Sequence, residues 1–571
     1  MPLITRLDSS EEAAAGVALP APRGERAARW RAGLALAVLA AAACCVSLVM
    51  TARNVGYDPD SAVYLGVAHN IVDGRGPTVP ITFYTDRYSP ATAAAFHGAV
   101  PSTHFTPLYP AVLAGFEALG LDGTAAARVL DGLILAFNMV LFTIVLSRAL
   151  VNRSWWVSAA GAVVLMVSGT WIVVHTYALS EALFLTWILA GLVLIPRYLV
   201  LPSPRTLALL SLCGAGAVLT RWVGVSFAIT VATLIGLRAA WPAVVRARRA
   251  ALVLGATATA GAAWALFGAL AGGSFPRVLS YHPPAKAAGT ILTLLADWFI
   301  HPRPPGGRVL MLCVLGAVLV LAATFTRWQR GRSSQEVQSS ERAWLLVALI
   351  VFAIVYVVVV LGARTFFDAS IPVVLNTTLD VWRAARIFVP LLPVALILAI
   401  AAVHEIAFRL LTRDDGGRSP ARAHTWSALA AVGGCMLLVV LPVSYVPTTY
   451  RDVSDSLDAR RRPALGSLTR AVRSLPSATM IVTNAPDDAY LATGRPLLIA
   501  PLRHVFVTGR TNHAFQREVS DLAAILRDRR GVLLLRSRAL VDEATAADFS
   551  RYVTLVDMGH YRDWGLYRVL G

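Results

Sequence analysis

Two aspartates, Asp58 and Asp60, flank a proline at the head of the stretch NVGYDPDSAVYLGVAHNIVDGRG. A carboxylate in such a place has two uses. It can accept from the free backbone amides of a helix N-terminus and meet the positive end of the helix dipole, which would make Asp60, followed by Ser61, an ordinary cap. Within hydrogen-bond reach of a substrate hydroxyl it can instead take the proton as the oxygen becomes a nucleophile. A third acid, Glu181, stands in ALSEALF among apolar residues, where an ionisable group is costly and faces either a cavity or a charged partner such as Arg221 in LTRWVG. Cations able to meet an anionic group are Arg221, Lys286, Arg383 and Arg386. Arg383 and Arg386 lie one helical turn apart before an apolar run, a spacing that equally serves anchoring at headgroups.

Other polar groups carry less. His97, His104, His175, His282 and His301 show no HExxH or comparable spacing, so no metal site and no cofactor is assigned, and His104 is expected to pack or hydrogen-bond beside Tyr109. Asn484, Asp487 and Asp488 could bind an acceptor, but NAPDD after a strand-like run reads first as a turn and helix cap. The glycines of DGRG end a helix rather than cradle a nucleotide.

The elements that must position these groups are mostly apolar helices. Of 571 residues 57% are hydrophobic and 15% charged, far from the balance of a soluble protein. About 20 apolar residues cross a bilayer core of roughly 30 Å. Eleven such segments are expected, near 31–51, 127–150, 155–175, 178–197, 205–221, 223–241, 250–271, 307–326, 343–362, 388–409 and 425–446. The pairs meeting near 175 and 221 are close enough for either to be one kinked helix. Cys44, Cys45, Cys213, Cys313 and Cys435 all fall in apolar runs, which leaves no readable disulfide framework. The net charge of +18 sits mostly in loops between apolar segments, so it speaks for topology and anionic lipid and against nucleic acid.

Cytoplasmic loops are enriched in positive charge, and an inside N-terminus makes every predicted inner loop basic. Residues 1–30 are then a cytoplasmic tail, 31–446 a transmembrane domain whose first segment is a retained anchor, and 447–571 an extracytoplasmic domain. Long outer regions fall at 52–126, 272–306 and 363–387. In the first of them, Ala62, Leu65, Val67, Ala68, Ile71 and Val72 recur at helical spacing, as in an amphipathic helix lying at the interface. Residues 104–120 read as a second juxtamembrane helix. The tail alternates strand and helix patterns, SATMIVTN, DDAYLATG, PLLIAP, HAFQREVSDLAAILRDRR and GVLLLRS, as in a small α/β domain. The fold expected is therefore a mainly α-helical polytopic membrane protein, N-terminus in and C-terminus out, with a small α/β tail. No paired broken segments mark two matching halves, which weakens a transporter reading.

The run from Asp60 to Gly76, with Tyr64 and Ala68 inside it, followed by TPLYP from Thr106 to Pro110, resembles the first outer loop of GT-C glycosyltransferases. These include the protein mannosyltransferase, aminoarabinose transferase and rhizobial galacturonosyl transferase groups, whose loop carries Asp-Glu-x-x-Tyr-x-x-x-Ala and then Pro-Leu-Tyr-Pro. ALSEALF, LTRWVG and IVTNAPDDAYLATGRP also resemble that group. The usual Glu after the first Asp is Ser61 here, and Asp58 lies two residues earlier, so Asp60 is the preferred base on its spacing and Asp58 the second candidate. The resemblance implies transfer of a sugar from a polyprenyl-phosphate donor, usually with inversion, to a glycan, lipid or protein acceptor at the outer face of the cytoplasmic membrane. Arginine almost to the exclusion of lysine suggests a bacterial source. Glu181, Arg221, Tyr64, His104, Lys286, Arg383 and Arg386 are then the substrate-binding candidates. Some members of the group hold a metal between an outer-loop His and an acid. A transporter or flippase for a lipid-linked or polar solute is the competing reading, and a non-catalytic assembly protein the third.

Overall fold

A computed structural model describes residues 23–52, 55–82, 99–102, 104–151, 153–271, 281, 340–366, 386–413, 425, 429, 433, 463–504, 511–537 and 543–570. Among these residues six helices are long and apolar enough to cross a membrane. They lie in α1 (Arg23–Met50), α4 (Gly123–Ala149), α7 (Glu181–Val200), α10 (Ala243–Leu270), α11 (Glu341–Phe366) and α12 (Leu391–Arg413). Shorter apolar helices fill the gaps: α3 (Leu108–Ala118), α5 (Trp155–Met166), α6 (Gly169–Val174), α8 (Pro204–Thr220) and α9 (Val225–Gly236). The expected segment 307–326 lies outside the described residues, as does 425–446 apart from single positions.

Local signals set several helix ends. Asp122 accepts from Ala125 N at 2.8 Å to start α4, and Ser203 accepts from Thr206 N at 3.1 Å ahead of Pro204, the first residue of α8. Both close pairs foreseen in the sequence are breaks: α6 ends at Val174 and α7 begins at Glu181, while α8 and α9 are joined by a 3-10 turn at Trp222–Gly224. A further break was not foreseen: the segment expected at 155–175 stops at Met166 and resumes after Ser168, whose extended backbone interrupts the helix. Phe142, Phe184, Phe227, Phe352 and Ile397 form the centre of the bundle core.

The first loop departs from its expected placement. Helix α2 (Pro59–Val72) is present, yet Ser61 to Ala68 and Asn70 are all buried, so it does not lay one apolar face on lipid. Tyr64, Leu65 and Ala68 pack with Tyr109, Leu113, Ala127, Leu130 and Tyr177 of the bundle. On the opposite flank Ala62, Val63 and Val67 pack with Tyr490, Leu534 and Trp564 of the C-terminal region. Small and apolar positions all round the helix allow this double burial, which the one-sided reading missed.

The C-terminal region builds one five-stranded sheet in the order β4-β3-β5-β7-β6. Here β3 (Ile481–Thr483) pairs parallel with β4 (Leu498–Ile499) and β5 (Val532–Arg536), while β7 (Trp564–Leu570) pairs antiparallel with β5 and with β6 (Thr554–Tyr561). Helices α13 (Pro463–Arg473) and α14 (Pro486–Thr493) cover one face together with α2, and α15 (Phe515–Asp528) and α16 (Ala546–Phe549) cover the other. Every strand and helix pattern foreseen in the tail falls on an element of this sheet. The β6–β7 hairpin was not foreseen, because β6 is half exposed and its turn rests on Arg562 at φ 65 rather than on a glycine. In the first loop β1 (Thr78–Val79) pairs with β2 (Val100–Pro101), and Ile81 runs parallel to Leu497 at the β4 edge. Leu497 N donates to Pro80 O at 3.0 Å and Ile499 N to Thr82 Oγ1 at 2.8 Å. The loop thus adds a strand to the tail's sheet.

Candidate functional site

Two short segments bring the acids together. Gly56, two residues before Asp58, pairs in strand fashion with Tyr177, four residues before Glu181: Gly56 N donates to Thr176 O at 2.7 Å and Ala178 N to Gly56 O at 3.1 Å. Only glycine fits, since a Cβ at position 56 would stand 2.5 Å from Cε2 of the Tyr177 ring. From this pairing the chain turns into α2 on one side and α7 on the other.

Asp58, not Asp60, is the N-cap of α2, with Ser61 Oγ accepting from Asp58 N at 3.0 Å and Pro59 in the first helical position. The capping role expected of Asp60 therefore falls to its neighbour. Asp60 sits in the first turn and is released for other use.

Arg386, in a 3-10 turn (Arg386–Phe388) that precedes α12, ties the acids together. Its Nη2 donates to Asp60 Oδ2 at 2.5 Å, its Nη1 lies 3.2 Å from Asp58 Oδ1, and its Nε lies 3.5 Å from Glu181 Oε1. Tyr356 of α11 steadies this turn by donating to Ile387 O at 2.6 Å. Arg221, the C-cap of α8, reaches from the other side, with Nη1 2.8 Å from Glu181 Oε1 and donating to Ser180 Oγ at 3.0 Å. The Tyr64 hydroxyl shares a 2.8 Å hydrogen bond with the same Ser180 Oγ. Burial alone would favour the neutral form of Arg386, but Asp58, Asp60 and Glu181 outweigh it and raise its pKa well above the ordinary arginine range. Burial likewise pushes the Tyr64 phenol up, against the pull of Arg221, so it stays an intact hydroxyl. With all groups ionised the cluster holds three carboxylates and two guanidiniums. Exposure separates the acids: the Asp60 side chain is 19% exposed, Asp58 8% and Glu181 2%. Arg386 engages Oδ2 of Asp60.

No protein-family model matches this chain, and no curated protein matches it. Solved structures do. ArnT from Cupriavidus metallidurans, bound to undecaprenyl phosphate, is 12% identical and superposes with a TM-score of 0.53 over 94% of this chain and 97% of its own. The same protein in the apo state gives 0.51 over 95% and 98%, at 12% identity. The chain has the GT-C fold. The archaeal oligosaccharyltransferase AglB from Archaeoglobus fulgidus, in complex with an inhibitory peptide and a dolichol-phosphate, also matches, at a TM-score of 0.49, 12% identity, and 93% of this chain against 74% of that one. The GT-C fold and the apolar helices make this a multi-pass membrane protein.

Within this GT-C fold, six of the residues singled out in the sequence converge: Asp58, Asp60, Tyr64, Glu181, Arg221 and Arg386. For Arg386 the headgroup-anchor alternative is overturned, because the side chain is turned inward onto three acids. Glu181 does pair with Arg221, as its structural alternative supposed, and the pair belongs to the same cluster. His104 is absent from that cluster: its ring lies edge-on to Phe105 at 4.8 Å and its carbonyl accepts from Trp222 Nε1 at 3.3 Å. His175 is buried in the bundle against Asn138. Lys286, Arg383, His97, His282 and His301 lie outside the described residues. The space between Asp58 and Asp60 is taken by the Arg386 guanidinium, and among the described residues no group of three or more His, Cys, Asp or Glu is arranged to hold a metal ion. In the tail, Asn484 exchanges two hydrogen bonds with the Arg536 backbone, 3.0 Å to its carbonyl and 2.7 Å from its amide, and Asp488 pairs with Arg536 at 2.7 Å. The N-cap of α14 is Ala485, so Asn484 ties β3 to β5 instead of capping the helix. Sequence reasoning missed Ser180 and Tyr356. Ser180 adjoins Glu181 in ALSEALF, but nothing in that run distinguishes its hydroxyl from a serine facing the backbone.

Proposed function

We propose that this chain is a glycosyltransferase that moves a sugar from a polyprenyl-phosphate-linked donor to a glycan, lipid or protein acceptor of the cell envelope. The observation that carries the reading is the cluster of Asp58, Asp60, Glu181, Arg221 and Arg386 at the head of α2 in a GT-C fold. The undecaprenyl phosphate bound to ArnT supports the donor class.

The chemistry follows from the residues. The acceptor hydroxyl oxygen attacks the anomeric carbon as its proton passes to Asp60 Oδ1, and the bond from that carbon to the phosphate oxygen breaks, leaving its electron pair on the phosphate. Arg221, partly exposed and already bent toward the cluster, meets the growing phosphate charge. Arg386, bonded to Asp60 Oδ2, fixes the direction of that carboxylate. Asp58, more buried and committed to the cap, orients Arg386.

The basic loops support an inside N-terminus, eleven spans, and a site with its α/β tail (447–571) on the outer face of a bacterial cytoplasmic membrane. Membranes bearing the chain, offered a panel of radiolabelled polyprenyl-phosphate sugars, are expected to move label from one donor into an acceptor fraction. Label that crosses the bilayer with its lipid carrier intact, and no transfer from any donor, would favour a flippase instead.

A further inference from the structure

Three arginines gather at the end of the bundle remote from the acids. Helices α7 and α9 both start at the acid cluster, at Glu181 and just after Arg221, and end at Val200 and Gly236. Beside these far ends and the starts of α10 and α11 stand Arg238, Arg246 and Arg249, with Tyr198, Trp241 and Trp344 among them. Arg249 Cζ lies over the Trp241 ring, 4.4 Å from its centroid, and 5.9 Å from that of Tyr198. Arg238 Cζ lies 5.9 Å from the same Trp241 centroid and 5.7 Å from that of Trp344. Arg246 Nη1 donates to Gly236 O at 2.7 Å, which holds it at the C-terminal end of α9.

What these guanidiniums lack is an anion. Arg342, two residues before Trp344, pairs with Glu405 at 2.7 Å. Arg238, Arg246 and Arg249 pair with no carboxylate among the described residues. Nε and Nη1 of Arg238, Nε of Arg246 and Nη1 of Arg249 are shielded from solvent without a hydrogen-bond partner. Three positive charges at close quarters repel one another, and a bound anion relieves that cost. A guanidinium held over an aromatic ring keeps the edge of its planar fork for an oxyanion, and the fork matches two phosphate oxygens. Beyond Arg249, Leu252, Leu254 and Leu266 of α10 are exposed and offer an apolar surface next to the charges. We propose that Arg238, Arg246 and Arg249 form a binding site for the phosphate of an anionic phospholipid, whose acyl chains lie along this surface of α10. On the orientation proposed above the site faces the inner leaflet, where basic pockets between helices attract anionic headgroups.

Arginine and tryptophan near a helix end also serve as plain headgroup anchors, which favour no lipid in particular. The full chain, purified in a neutral detergent, separates the two. Added phosphatidylglycerol is expected to stay bound in native mass spectra and to raise the melting temperature by several degrees, and phosphatidylcholine at the same concentration to do neither. Inorganic phosphate and glycerol phosphate carry the anion without the chains, and at millimolar concentration each is expected to leave the melting temperature unchanged. Arg238→Gln and Arg249→Gln are each expected to weaken phosphatidylglycerol binding roughly tenfold, whereas Arg75→Gln, just after α2, should bind it as wild type does. Should one of the two variants fail to fold, the other carries the same expectation. Equal binding of phosphatidylcholine reduces the cluster to an anchor and overturns the proposal, as do Arg238→Gln and Arg249→Gln chains that hold phosphatidylglycerol as tightly as wild type. A thermal shift of the same size with either soluble phosphate overturns the lipid as occupant. These readouts need no sugar donor, so their failure and the failure of the transferase reading are separate events.

Discussion

Asp58 and Asp60 differ by two positions and by nearly everything that matters chemically. One caps a helix and is the more buried; the other keeps an oxygen open in the first turn. Asp58→Asn should therefore be the milder change, since asparagine caps a helix about as well as aspartate, and transfer is expected to fall by roughly tenfold through a misdirected Arg386. Arg386 is the residue the cluster can least spare. Its removal leaves three acids without their shared cation, so Arg386→Gln is expected to abolish transfer and to lower stability by roughly 3–5 kcal/mol, read by thermal unfolding of the detergent-solubilised chain. A wild-type melting curve for Arg386→Gln would show that the acids do not depend on it. The acids themselves were legible, because DPDSAVYLGVA combines carboxylates with a helical pattern and ALSEALF places a charge in apolar surroundings. Their partner was not. Arg386 is 326 residues from Asp60 along the chain, and an arginine ahead of an apolar run looks the same whether it reaches lipid or an acid.

At the level of elements, the pairing of residues 56 and 177 decides whether α2 and α7 present their acids to one another. Gly56→Ala would drive a methyl into the fully buried Tyr177 ring. A loss of about 1–3 kcal/mol in stability is expected, with transfer reduced even at low temperature where the chain stays folded; an unaffected Gly56→Ala protein would mean that the ring yields freely. Hydropathy located these helices because burial in lipid and burial in a bundle both demand apolar runs, and it did not locate the break at Val167 and Ser168, which only the Ser168–Gly169 step marks. It also misjudged α2. A helix pressed between two partners has the same composition as one lying on a bilayer, and only the tail's presence on its second flank tells them apart.

For the whole molecule, the strand addition at Pro80 to Thr82 and the packing of α2 on α14 make the tail part of the unit that carries Asp60. A chain ending at residue 462 is expected to enter membranes and to lack transfer; full activity of that chain would show that α2 holds its place alone. The tail also has its own acid-sensitive tie. Burial would raise the Asp548 pKa, but hydrogen bonds from Thr545 and the Arg503 guanidinium outweigh it and hold it below the usual carboxylate value. A lowered folded-state pKa stabilises at neutral pH and is lost as pH falls through that value. The stability gap between wild type and Asp548→Asn should therefore be widest near neutrality and narrow below about pH 4, followed by urea unfolding of the tail's tryptophan signal; a gap constant from pH 7 to pH 3 would remove the ion pair from the account. The central claim concerns one proton, and the most direct measurement is the single-turnover rate of sugar transfer by Asp60→Asn in membranes that hold it at wild-type abundance. Loss of the base predicts a fall of about 10²- to 10⁴-fold with the donor still bound, whereas transfer at the wild-type rate would contradict the account.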